Sequence, residues 1–306
     1  MRREEGPITS DLTAGRVRGQ SYRKGVALVL LGSAASSWLG LGVRAMEAAT
    51  AWQILAFRAL GLIVFLTLYI ALTNSGRLIA LFRGAGLPSL VGGIGLAVVS
   101  SGGIVAIQKA SVANAMFLIA AAPFMAAVMS HLLLKEKVRT VTWLAIACSF
   151  LGIVMMVAEG ISFGFFWGNV AGLIAAVGMA VFVVSLRWGH LSDMLPLSLI
   201  GGVLVALTAL AVTTASGDGL AVSWHDALLG LAMGAFQLGI ALVLITRGSR
   251  SVPGADLALL TMLEMVLAPF WVWLVFGETA GFYTLIGGAL VLGAIALDAL
   301  TGLREG

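Results

Sequence analysis

Ten residues with the means to hold, pass or gate a small polar molecule fall inside long apolar runs of this 306-residue chain. Ser33, Ser37 and Trp38 share the first run, Ser100 and Ser101 the third, and Gln237 the eighth. At a helical rise of ~1.5 Å per residue, these six sit near the middle of their runs. They are the candidate substrate-binding residues. Arg58 lies about 9 Å inside one end of the second run, and Glu264 about 12 Å inside one end of the ninth. Pro123 and Pro269 interrupt the fourth and ninth runs. These four are the candidate gating or coupling residues.

Each candidate also has a plainer use. A serine in a helix can bond back to its own preceding turn, and Trp38 can fill a core or touch lipid. A buried amide such as Gln237 must find hydrogen bonds, and the alternative to a protein partner is a wet cavity. Arg58 can snorkel toward Glu47 or the surface, or meet a substrate or gate. Glu264 can carry a proton, bind a substrate ammonium, or bond a neighbouring helix while protonated. A mid-helix proline removes one backbone bond and crowds the turn before it, so both prolines predict kinks, structural or gating. Ser111, Asn114 and Asp256 open runs and read as helix caps. Glu136 and Glu278 close runs and read as interfacial end signals.

What is missing narrows the chemistry. HExxH, a phosphate loop ending in GK[ST] and GxSxG are all absent from the sequence. His131, His190 and His225 stand far apart near run ends. The residues predict no catalytic group, metal site or cofactor. Pairs such as Gly168/Gly172 and Gly230/Gly234 suit close helix contacts within one chain.

The elements that must position these residues are membrane spans. The chain is 60% hydrophobic and 10% charged, against roughly 25% charged in soluble domains. A helix needs about 20 apolar residues to cross the hydrocarbon. Ten such spans are predicted, at 25–43, 51–72, 87–108, 112–134, 140–158, 166–187, 195–215, 225–246, 256–276 and 281–300. Residues 1–24 form a polar tail. The loops are short, which leaves no extra soluble domain. Lone Cys148 excludes a disulfide framework. With the N-terminus inside, 15 of the 18 Lys and Arg fall on the cytoplasmic side, Arg44 and Lys109 fall outside, and Arg58 is intramembrane. Both termini are therefore placed in the cytoplasm. The basic residues report topology and imply no nucleic acid.

The stretch 110–152 returns at 252–293. Aligning Glu136 on Glu278 sets an offset of 142 residues, at which Ala113, Leu118, Ala126, Leu132, Thr142, Ala147 and Ile153 meet their own kind. Pro123 and Pro269 sit mid-run in the two copies. Five spans per half is an odd number, so the second half, 159–306, crosses upside down relative to the first, 25–158. The expected fold is all-α, with ten transmembrane helices as two inverted five-helix repeats, the architecture of secondary transporters.

These half-repeats, with Arg58 in AWQILAFR, Leu263-Glu264 and Trp38-Leu39-Gly40, resemble the drug/metabolite transporter superfamily, in particular its ten-helix EamA-type exporters. Family members often carry Leu-Glu-Pro where this chain has Leu-Glu-Met, and Trp-Gly where it has Trp38-Leu39-Gly40. The layout is most similar to the bacterial amino-acid exporters. The resemblance implies export of amino acids or similar metabolites across the inner membrane, by a monomer whose partners are a small-molecule substrate and the bilayer. Two alternatives stay open: a multidrug exporter, and a membrane-embedded enzyme or sensor without flux. Related drug/proton antiporters carry a coupling acid in their first helix. Residues 25–43 have none, which leaves Glu264 as the best proton carrier.

Overall fold

The computed structural model describes residues 7–73, 86–135, 138–189 and 195–305. Among them it is helical, with no strand. Ten helices are long and apolar enough to cross a membrane. They are α1 (Ser21–Arg44), α2 (Ala51–Thr73), α3 (Leu87–Lys109), α4 (Val112–Leu134), α5 (Thr140–Ser162), α6 (Phe166–Trp188), α7 (Leu195–Ser216), α8 (Trp224–Ser249), α9 (Asp256–Phe276) and α10 (Phe282–Thr301). From the second onward, each predicted start falls within one residue of the observed one. The first differs, because its helix runs continuously from Pro7, where proline suits the first helical turn. Glu136 and His190 lie outside the described residues.

Raising each span number by five reproduces much of the packing. α1 packs on α8 and α9, as α6 packs on α3 and α4. α2 packs on α7 and α8, as α7 packs on α2 and α3, and α5 pairs with α10. That last pair is antiparallel and pinned at both ends. Glu159, ending α5, accepts from Tyr283 N–H (3.0 Å) and Thr284 N–H (2.6 Å) at the start of α10. Asp298, ending α10, accepts from Thr142 Oγ1 (2.6 Å) and Arg139 Nη2 (2.9 Å) at the start of α5. A carboxylate on a helix's first amides satisfies orphan donors and suits the helix dipole. By contrast α1 and α9 run parallel: Tyr22 bonds Asp256, Ser37 bonds Trp271 and Arg44 bonds Glu278, each 234 residues apart.

Three spans depart from plain helix. α1 stops at Ser36, turns through Ser37 and Trp38, and resumes as Leu39–Arg44. α4 is broken between Ile119 and Ala122. Pro123 opens its second segment, and the turn is closed by short-range bonds such as Phe124 N–H to the Ala121 carbonyl (3.1 Å). Pro269, in contrast, sits inside an α9 helix unbroken from Gly254 to Phe276. The two prolines therefore act differently: one interrupts its helix, and the other removes a single rung from a continuous ladder. In α8, Met233–Ile240 is π-helical and carries Gln237. Such wide turns in other proteins are frequent at functional sites.

Glycines let α2 and α8 approach closely. A Cβ on Gly234 would overlap the Arg58 carbonyl and come 2.7 Å from Leu62 N. Gly234→Ala is therefore expected to lower the melting temperature of the detergent-purified protein, since overpacking costs about 1–3 kcal/mol. Gly293→Ala, whose Cβ meets nothing within 4 Å, should leave it unchanged or slightly raised, because alanine is about 1 kcal/mol better than glycine in a helix. Equal melting temperatures for both variants would contradict this packing.

Candidate functional site

The turn that ends the first segment of α1 leaves the Ser36 carbonyl among the last, unsatisfied acceptors of that segment. Gln237 Nε2 donates to it at 2.8 Å. The same amide's Oε1 accepts from Arg58 Nε (3.3 Å) and Nη2 (3.2 Å). Arg58 (5% exposed), Ser36 and Gln237 are all buried. The arginine does not snorkel to Glu47; it turns inward onto the π segment of α8. From α9, Glu264 lies beside Ser36 and within the electrostatic range of Arg58. α1, α2, α8 and α9 thus bring a cation, an anion and an amide together at mid-depth, around a broken helix.

The first half of α9 is only partly covered. Every residue of α9 from Asp256 to Met265 is half-exposed, neither buried nor fully exposed. A helix with lipid on one face and packed protein on the other would alternate between the two extremes; a uniform middle value marks a loosely covered segment. In the other half of α9 one face is packed and the rest, including Val266, Phe270 and Trp273, is exposed. Ala268 and Val272 (0% and 1% exposed) pack with Val43, Val112 and Met116.

The remaining candidates fall around this cluster in different ways. Ser37 is buried, donates to its own helix at Ala34 O (2.7 Å) and accepts from Trp271 Nε1 (3.0 Å). Trp38, its neighbour in sequence, is 55% exposed and lies 6.3 Å from the Trp271 ring. Ser33 is fully buried, and its hydroxyl has no partner among the described residues. Ser100 and Ser101 are half-exposed on α3, which packs mainly on α6 and α7. Ser111 caps α4 by accepting from Asn114 N–H (3.1 Å). Asn114 does more than cap: its side chain, 1% exposed, donates to Asn169 of α6. Gly230 and Gly234 face α2, and Gly168 faces the α3–α4 junction, so these pairs serve packing inside the chain.

Three carboxylates with structural duties escaped the sequence reading, and a fourth, Glu278, read only as an interfacial end signal. Besides Glu159 and Asp298, Asp226 accepts from the backbone N–H groups of Glu47, Ala48 and Ala49 (2.9, 3.1 and 3.0 Å), tying the α1–α2 loop to α8. Glu278 joins Arg44 to the start of α4. The only hint of it was its alignment with Glu136.

Residues 23–158 match the model of the EamA-like transporter family. The matched stretch is the first half of the chain. With ten candidate spans among the described residues, the match is consistent with the drug/metabolite transporter superfamily. EamA proteins are transporters rather than enzymes. No curated protein matches the sequence. Among solved structures, a crystal structure of a protein shares the fold at TM-score 0.64 and 19% identity, over 92% of this chain and 97% of that one.

Proposed function

We propose that this EamA-type protein exports amino acids or similar small zwitterions across the bacterial inner membrane by alternating access, with both termini in the cytoplasm. The observation that carries this reading is the Arg58–Gln237–Ser36–Glu264 cluster. A substrate carboxylate suits Arg58, its ammonium suits Glu264, and the freed Ser36 carbonyl is a further acceptor. Broken helices that present backbone groups at mid-depth are how many secondary transporters hold charged substrates. The recurrence of neighbour pairs at a shift of five spans supports two inverted repeats. So does the match of Thr142 with Thr284, which both meet the carboxylate closing the partner helix.

Counterflow in proteoliposomes tests the export reading. Vesicles loaded with unlabelled amino acids should accumulate a labelled one, and empty vesicles should not. Counterflow with none of the twenty amino acids would overturn the substrate class, and accumulation of cationic dyes in its place would favour the multidrug alternative. Topology has its own check. In a chain carrying Cys148→Ala, Lys137→Cys and Thr279→Cys should react with an impermeant maleimide from opposite faces. Reaction from one face only would remove the inverted repeat.

A further inference from the structure

Lysine and arginine are scarce at the bundle end that holds the α1–α2, α3–α4 and α9–α10 connections. Among the residues of the five connections there and of the helix ends beside them, only Arg44 and Lys109 are Lys or Arg, while Glu47, Glu159, Asp218, Asp226 and Glu278 are acidic. Both cations line one pocket of about 490 Å³, together with Gln108, Ser111 and Glu278. That volume falls within the ~300–1,000 Å³ range of small-molecule sites. Lys109 is exposed there.

The pocket already contains a bound carboxylate, supplied by the chain. Glu278 Oε2 accepts from Arg44 Nε at 2.7 Å, and Glu278 Oε1 accepts from the Val112 N–H, the first amide of α4, also at 2.7 Å. Arg44 Nη2 in turn donates to Ala110 O at 2.7 Å. One carboxylate thus ties the ends of α1 and α9 to the α3–α4 junction. Directly beneath, Val43, Val112 and Val272 are sealed at 5%, 0% and 1% exposure. The charged side chains lining the pocket are two cations and one carboxylate.

We propose that this pocket is an exit-side binding site for a small carboxylate, with Glu278 as a resident competitor. An arriving carboxylate, drawn by Lys109, takes the place of Glu278 on Arg44 and the α4 amide, and so releases the tie that closes this end. One charge-assisted pair replaces another of the same kind, and Lys109 adds an attraction that Glu278 does not use, which offsets part of the cost of immobilising a free ligand. The reason for a carboxylate to arrive rests on the export reading; its binding does not.

The test reads opening directly, in detergent and without transport. Val272→Cys in a Cys148→Ala chain places a thiol under the tie, and its rate of reaction with a hydrophilic maleimide is followed. Sodium acetate, the minimal carboxylate, should speed labelling relative to sodium chloride at equal ionic strength, and acetamide should not. Glu278→Gln should label about tenfold faster with no acetate present, as expected for loss of a charged hydrogen bond. Lys109→Gln, a surface change that leaves the Glu278 contacts in place, should remove the acceleration by acetate and keeps the test decisive if Glu278→Gln folds poorly. Acetate acting no better than chloride, or an undiminished acetate response in Lys109→Gln, would overturn the proposal. Acetate-dependent labelling without amino-acid counterflow would retain this site and remove the export reading.

Discussion

Replacing Arg58 with leucine is expected to weaken amino-acid binding by about 10- to 100-fold while leaving a folded, monodisperse protein. The guanidinium is 5% exposed and makes two bonds to Gln237 Oε1. A charge at mid-membrane costs a few kcal/mol even when helix insertion tolerates it, so its removal relieves a cost as well as losing bonds. Leucine fills similar volume among apolar neighbours. Gln237 keeps its second bond, to the Ser36 carbonyl, so α8 stays attached to α1. What goes missing is the only cation beside Glu264 in the cluster. A hydrogen bond to a charged group contributes about 1.5–3 kcal/mol, which sets the expected range at 1.4 kcal/mol per factor of ten. Arg58→Lys should recover part of the loss, because the charge returns without the planar fork. Equilibrium binding or the half-saturation of counterflow measures both variants. Parental affinity in Arg58→Leu would show that the arginine only holds the bundle together.

Replacing Glu264 with glutamine is expected to uncouple transport from an imposed pH gradient while sparing exchange. Glu264 lies on the partly covered half of α9, beside Ser36 and within the electrostatic range of Arg58. It is the carboxylate of the cluster, and α1 offers none in its place. A proton bound by Glu264 in one state of the cycle and released in the other would link flux to the gradient. Glutamine has the same shape but cannot titrate. In proteoliposomes the parent should concentrate substrate under a gradient, and Glu264→Gln should retain counterflow and lose gradient-driven accumulation. A parent indifferent to the gradient, or a variant that still responds, would exclude coupling through this residue. Substrate contact through Glu264 predicts a different pattern, in which counterflow itself fails in the glutamine variant.

The sequence by itself determined the spans, their number and the class of protein. In hydrocarbon each segment must satisfy its own backbone, so span formation is a local property that composition and length report directly. Tertiary structure decided which way each helix faces. Lipid and protein interior are similarly apolar, so the sequence carries little mark of the buried side. Ser37 and Trp38 are adjacent and equally deep, yet one is fully buried and the other 55% exposed. Arg58 and Gln237 are 179 residues apart and bond directly, a pairing that depends on the rotation of α2 against α8 and on a π segment with no signature in the sequence. The two prolines look alike in the repeat, yet one breaks α4 and the other rides inside α9, because each outcome depends on how the neighbouring helices hold the turn. Glu278 read as the end of a span. Only the parallel packing of α9 on α1, with the start of α4 beside them, turned it into a bridge between three helices.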